Sequence, residues 1–131
     1  GMCHLDAAMT KQGVEALGTD GVELAILENV GNLVCPAEFD TGAVKNVMIL
    51  SVPEGDDKPL KYPLMFKVSD VVLINKIDVL PYFDFDVEKC KEYIKHRNPN
   101  AKIFLICAKT GEGIEEWASW LNDEVRDWID K

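Results

Sequence analysis

Residues 71–74, Val-Val-Leu-Ile, are apolar without a break and stop at Asn75-Lys76-Ile77-Asp78. A strand apolar at every residue, rather than at alternate ones, has to be buried on both faces. Such strands belong to parallel sheets, whose crossover connections lay helices over each side. This one tetrapeptide therefore predicts an α/β fold, a mostly parallel sheet with flanking helices. The rest of the chain supplies the alternation. Leu5, Ala8, Met9 and Ala16-Leu17 predict a helix over 5–17, stopped by Gly18. Further strands are predicted over 22–27, 44–52 and 102–106, all rich in Val, Ile and Leu. Pro63 opens a short helix over 62–68. Asp84 or Asp86 caps a helix with Val87, Cys90 and Ile94 on one face, and Asn98-Pro99-Asn100 ends it. Gly111 and Gly113 lead into a last helix. There Ile114, Trp117, Leu121, Val125 and Trp128 recur at helical spacing, and Trp120 and Ile129 widen the stripe.

With 131 residues, 47% of them apolar, the chain predicts one domain over 1–131 with a sizeable core. No stretch approaches the roughly 18–20 apolar residues of a membrane span. Gly1-Met2-Cys3-His4 has neither the basic region nor the apolar run of a signal peptide. A cytoplasmic protein with no membrane partner is expected. The net charge of −9 argues against nucleic acid, which needs a basic footprint. The acidic concentrations at Glu54, Asp56 and Asp57 and at Asp123, Glu124 and Asp127 read as solvated surface. Cysteines 3, 35, 90 and 107 form no Cys-x-x-Cys and no disulfide framework, so reduced thiols are expected. Cys90 and Cys107 read as packing residues.

The chemistry starts at the end of the 71–74 strand, because open α/β sheets bind ligands at the C-terminal ends of their strands. A carboxylate held there, at Asp78, can accept two parallel N–H bonds from N1 and the 2-amino group of guanine. Adenine has no matching pair of donors, and buried polar groups left unpaired reject the wrong ligand. Lys76 can lay its stem along the base, and Asn75 can tie neighbouring loops together. Cys107-Ala108-Lys109-Thr110 follows the next strand, where a small residue such as Ala108 can offer its N–H to guanine O6. The competing reading makes Asp78 a turn cap and Lys109 a surface lysine. Glu28-Asn29-Val30-Gly31 follows the 22–27 segment. Glu28 can hold Mg2+ through water. The Gly31 N–H can approach a γ-phosphate because no side chain intervenes. Alternatively, Asn-Val-Gly serves only as a tight turn.

A third constellation is Cys3, His4 and Cys35. Thiolate and imidazole suit Zn2+ and Ni2+. Cys35 lies 7 residues after Glu28, on the loop that would sense a γ-phosphate. Three ligands leave a tetrahedral site incomplete, so water or a second copy at a two-fold axis has to fill it. The alternative is core cysteines and an unligated Cys-His pair. Against these signals, the chain contains no Gly-x-x-x-x-Gly-Lys-[Ser/Thr], the loop that cradles phosphates in nucleoside-triphosphate sites. No residue stands out as a general base.

Taken together, five blocks resemble the nickel-insertion GTPase of hydrogenase maturation, the HypB family. They are Cys-His-Leu-Asp-Ala (3–7), Glu-Asn-Val-Gly-Asn-Leu-Val-Cys-Pro-Ala-Glu-Phe-Asp (28–40), Glu-Gly-Asp-Asp-Lys-Pro-Leu-Lys-Tyr-Pro (54–63), Asn-Lys-Ile-Asp (75–78) and Ala-Lys-Thr-Gly-Glu-Gly (108–113). The resemblance implies a P-loop NTPase-like G domain. It also implies Mg2+-dependent hydrolysis of GTP to GDP, and homodimerisation that depends on nucleotide and metal. Ni2+ or Zn2+ at Cys3, His4 and Cys35 is implied as well, with a HypA-type metallochaperone as partner and the large subunit of a [NiFe] hydrogenase as recipient. In two respects the chain departs from the pattern. The family carries its first strand, P-loop and first switch upstream of the Cys-His motif, so this chain is expected to be the C-terminal part of the G domain. The usual base-loop serine is Cys107. The contrasting expectation is a non-hydrolysing Ni/Zn-binding dimerisation module.

Overall fold

A computed structural model describes residues 5–29 and 31–131. Its centre is a three-stranded, all-parallel sheet in the order β1 (Val47–Ser51), β2 (Val71–Asn75), β3 (Lys102–Leu105). The register sets Val47 beside Val71 and Val71 beside Lys102, so Ser51 and Asn75 end level with each other. The helices among the described residues are α1 (Ala7–Leu17), α2 (Cys35–Glu38), α3 (Lys58–Lys61), α4 (Pro63–Val68), α5 (Val87–Arg97) and α6 (Ile114–Ile129). Among the described residues no helix is long and apolar enough to cross a membrane.

The α/β expectation holds. β2 is buried from Val71 to Ile74, as an unbroken apolar run requires. On one face Met48, Leu50, Val72 and Ile74 pack with Phe66 of α4 and with Cys90 and Ile94 of α5. On the other, Val71, Leu73 and Ile106 meet Phe104, Ile114, Trp117 and Trp120. Asp86, not Asp84, caps α5, its carboxylate accepting the Lys89 N–H at 3.0 Å. Asp6 caps α1 in the same way through Met9 N–H at 2.9 Å.

Two expectations fail. Residues 22–27 form no strand: they run irregular and exposed, with Ile26 81% accessible. An extended apolar segment becomes a strand only when a neighbour takes its backbone bonds, and among the described residues no strand pairs with it. Second, burial on both faces stops at β2. On β1, Met48 and Leu50 are buried, whereas the alternate residues Val47 and Ile49 are 40% and 56% exposed. α6 covers the β2 and β3 part of that face and leaves β1 open.

Candidate guanine-nucleotide site

Parallel pairing of adjacent β2 and β3 brings two loops together at the C-terminal edge of the sheet. Past the ladder, Ile106 N–H donates to Ile74 C=O (2.8 Å) and Ile77 N–H donates to Ile106 C=O (3.3 Å). Lys76 turns the chain at φ 65° and ψ 38°, and a 3-10 turn, Ile77–Tyr82, follows. A lysine gains nothing sterically from the left-handed region, so this backbone conformation is imposed by the two strand ends it joins.

The second loop is held from inside. Cys107 N–H donates to Glu112 C=O and Gly111 N–H to Cys107 C=O, both at 2.8 Å. Gly113 sits at φ 76°, and a Cβ there would lie 2.0 Å from the Leu105 carbonyl oxygen. Only glycine closes this loop, and the Gly111/Gly113 spacing is the sequence signal for it. Cys107 is buried as a free thiol.

Asn75 joins the two loops: its Oδ1 accepts the Ala108 N–H at 3.1 Å. Asn75 thus does the tying that its position suggests, and the N–H offered to a base carbonyl already has a partner. Asp78 is exposed and has no hydrogen bond or ion pair among the described residues. It caps no turn, against one half of the competing reading, while Lys109 is an exposed lysine as the other half has it. Lys76, Ala108 and Lys109 are exposed around it.

Glu28 and Gly31 lie on a separate, exposed stretch. Gly31 has no positive φ, and a Cβ there would meet nothing within 4 Å. The fold therefore makes no demand for glycine at this position, against the tight-turn reading. Downstream, Asn32 Oδ1 accepts the N–H groups of Val34 (3.0 Å) and Cys35 (2.9 Å) and fixes the start of α2. Cys35 is half-buried and disulfide-bonded, which corrects the expectation of reduced thiols at this position. The other two expected metal ligands, Cys3 and His4, lie outside the described residues. Among those described, no group of three or more His, Cys, Asp or Glu is placed to hold a metal ion.

A parallel α/β sheet with paired loops at the C-terminal ends of its strands is an architecture that nucleotide-binding domains use. The family model described as "CobW/HypB/UreG, nucleotide-binding domain" matches residues 1–105. The chain belongs to this family, and curated proteins similar to it include HypB proteins. It is 54% identical over 120 residues to hydrogenase maturation factor HypB of Azotobacter chroococcum mcd 1, covering 91% of this chain and 39% of that protein. With the HypB of Escherichia coli (strain K12) it shares 50% over 122 residues, covering 93% and 42%. The crystal structure of Helicobacter pylori HypB in complex with nickel superposes with a TM-score of 0.89 at 42% identity, covering 95% of this chain and 60% of that one. The chain thus spans about two-fifths of the length of these curated relatives.

Proposed function

We propose that this chain carries the guanine-recognition half and the metal-responsive loop of a GTPase that gates nickel delivery during [NiFe] hydrogenase maturation. The observation that carries the reading is the unpartnered Asp78 carboxylate at the end of β2, beside a base loop pinned by Asn75 and Gly113. Asp78 would take guanine N1–H and the 2-amino group, with Lys76 along the base and Lys109 at its edge. Guanine O6 would share the Ala108 N–H with Asn75 Oδ1, or displace it. Phosphate contacts would come from residues outside these 131, and the open edge of β1 is where a strand carrying them would pair. Residues 1–131 would then be the C-terminal part of one G domain. Glu28 would place Mg2+ through water and the Gly31 N–H would meet the γ-phosphate. Hydrolysis in such sites rests on positioning and electrostatic stabilisation.

Cys35, 7 residues after Glu28, would couple nucleotide state to Ni2+ or Zn2+ held with Cys3 and His4. The donor chemistry fits a soft divalent ion, and the disulfide at Cys35 has to be reduced first. A second copy would complete the coordination, making the working form a homodimer. A HypA-type metallochaperone would be the source of the metal and the hydrogenase large subunit its destination. Names of the matched relatives support the maturation role.

Calorimetric titration with GDP and ADP in Mg2+ tests the base site. GDP binding without ADP binding, abolished by Asp78→Ala, is expected; equal binding of both would overturn the reading. A second reading, a metal-binding dimerisation module that hydrolyses nothing, is favoured by the absence of a phosphate-cradling motif. Under it, neither nucleotide binds, while Cys35→Ala still weakens metal binding.

A further inference from the structure

We propose that the groove between the outer edge of β3 and helix α6 docks an extended, arginine-bearing segment of a partner protein. β3 ends the sheet among the described residues. Lys102 N–H donates to Asp70 C=O at 3.0 Å and Ile106 N–H to Ile74 C=O at 2.8 Å, so the even-numbered residues face β2. Successive residues of a strand point their peptide groups to opposite sides, which turns those of Ile103 outward. The Leu105 carbonyl is closed off by Gly113. One short stretch of unpaired backbone is therefore open to an incoming chain.

Beside it, the groove has an apolar floor and an acidic rim. Phe104 and Trp120 form the floor, and Ile103, whose side chain packs on the opposite face of the sheet, borders it. Trp120 is held by a stacked Trp117 (centroids 5.7 Å apart, planes at 16°) and by Phe104 at 6.3 Å. The rim carries Glu115, Glu116 and Asp123 against the single cation Lys102. All three carboxylates are exposed, and none has an ion pair or hydrogen bond among the described residues. Unpaired carboxylates around an indole suit a guanidinium, which forks onto carboxylates and stacks on aromatic faces where an ammonium does not. The same charge excludes the other occupants. The acidic rim repels the same rim on a second copy, which leaves the proposed homodimer to form through another face, and nucleic acids and anionic membranes are repelled likewise.

The test is an amide-resolved NMR titration with the blocked peptide Arg-Ile-Arg-Val-Arg. Shifts are expected at residues 102–104, on the Glu116–Asp123 side of α6 and at the Trp120 indole. Glu116→Lys with Asp123→Lys should weaken binding by about tenfold or more, because lysines placed against the peptide's arginines set like charges against each other. The charge-matched pair Asp20→Lys with Glu23→Lys, on an exposed stretch elsewhere, should change it by less than about twofold, as a screened distant charge does. Equal loss in both variants would mean attraction by net charge alone and would overturn the site. So would shifts away from β3 and α6. Concentration-dependent self-association of the free protein through the same residues would put a second copy in the groove and overturn the assignment too.

Discussion

Lys76 is the one described non-glycine residue with a positive φ. For an L-residue the left-handed region costs roughly 1–2 kcal/mol. Lys76→Gly should therefore raise stability by up to about 1 kcal/mol while weakening GDP binding, because on the proposed function the stem that would lie along the base is gone. Thermal melts and calorimetry on the same variant would show the two quantities moving in opposite directions. Cys90 makes the complementary point about burial. It is inaccessible among Phe66, Ile94 and the sheet, and desolvation pushes its thiol from 9.0 up to about 12. The folded state keeps that proton after the unfolded chain has lost it. Stability from this group is thus complete below pH 9 and drains away as pH rises towards 12, by at most about 1.4 kcal/mol per pH unit. Urea titrations across that window should show the fall in the wild type and a flatter curve in Cys90→Ala. That Cys90 packs was readable from its place on a helical apolar face. That Lys76 is left-handed was not, because two strand ends impose it.

Among the elements, α4 is instructive because six residues cannot satisfy their own C-terminal carbonyls. Asn98, which terminates α5, does so instead. Its Nδ2 donates to Ser69 C=O at 2.8 Å, Lys67 C=O at 3.2 Å and Phe66 C=O at 3.4 Å. Ser69 Oγ adds a bond to Met65 C=O at 2.7 Å. Asn98→Ala should cost about 1–3 kcal/mol by leaving these acceptors short of donors, measured as a lower urea midpoint with unchanged GDP affinity. In the sequence Asn98 is legible only as a helix stop. Its second task needs α4 and α5 side by side. The 22–27 segment shows the reverse case: its composition calls for a strand, and the described residues offer it no partner.

For the molecule as a whole, the sheet order predicts a gradient of rigidity. β2 is bonded on both sides and buried from Val71 to Ile74, whereas among the described residues β1 and β3 are bonded on one side. In native-state hydrogen exchange, amides of Val71–Asn75 should exchange slowest and the exposed 22–27 stretch fastest. Comparable protection of β1 and β2 would mean that something pairs with the β1 edge in solution. Phe66, fully buried at the centre of the larger core, should cost about 3–5 kcal/mol as Phe66→Ala.

The amino-acid sequence by itself determined the parallel α/β class, the place of Asn75 and Asp78 at a strand end and the order of the two loops that follow β2 and β3. Each follows from local hydrophobic runs and short-range turn chemistry. Tertiary structure alone decided that Asn75 reaches Ala108, that Asp78 is left unpartnered and that Val47 and Ile49 stay uncovered. Those outcomes depend on which strands become neighbours and which helix lies across them, and residues far apart along the chain settle that only when the sheet is assembled.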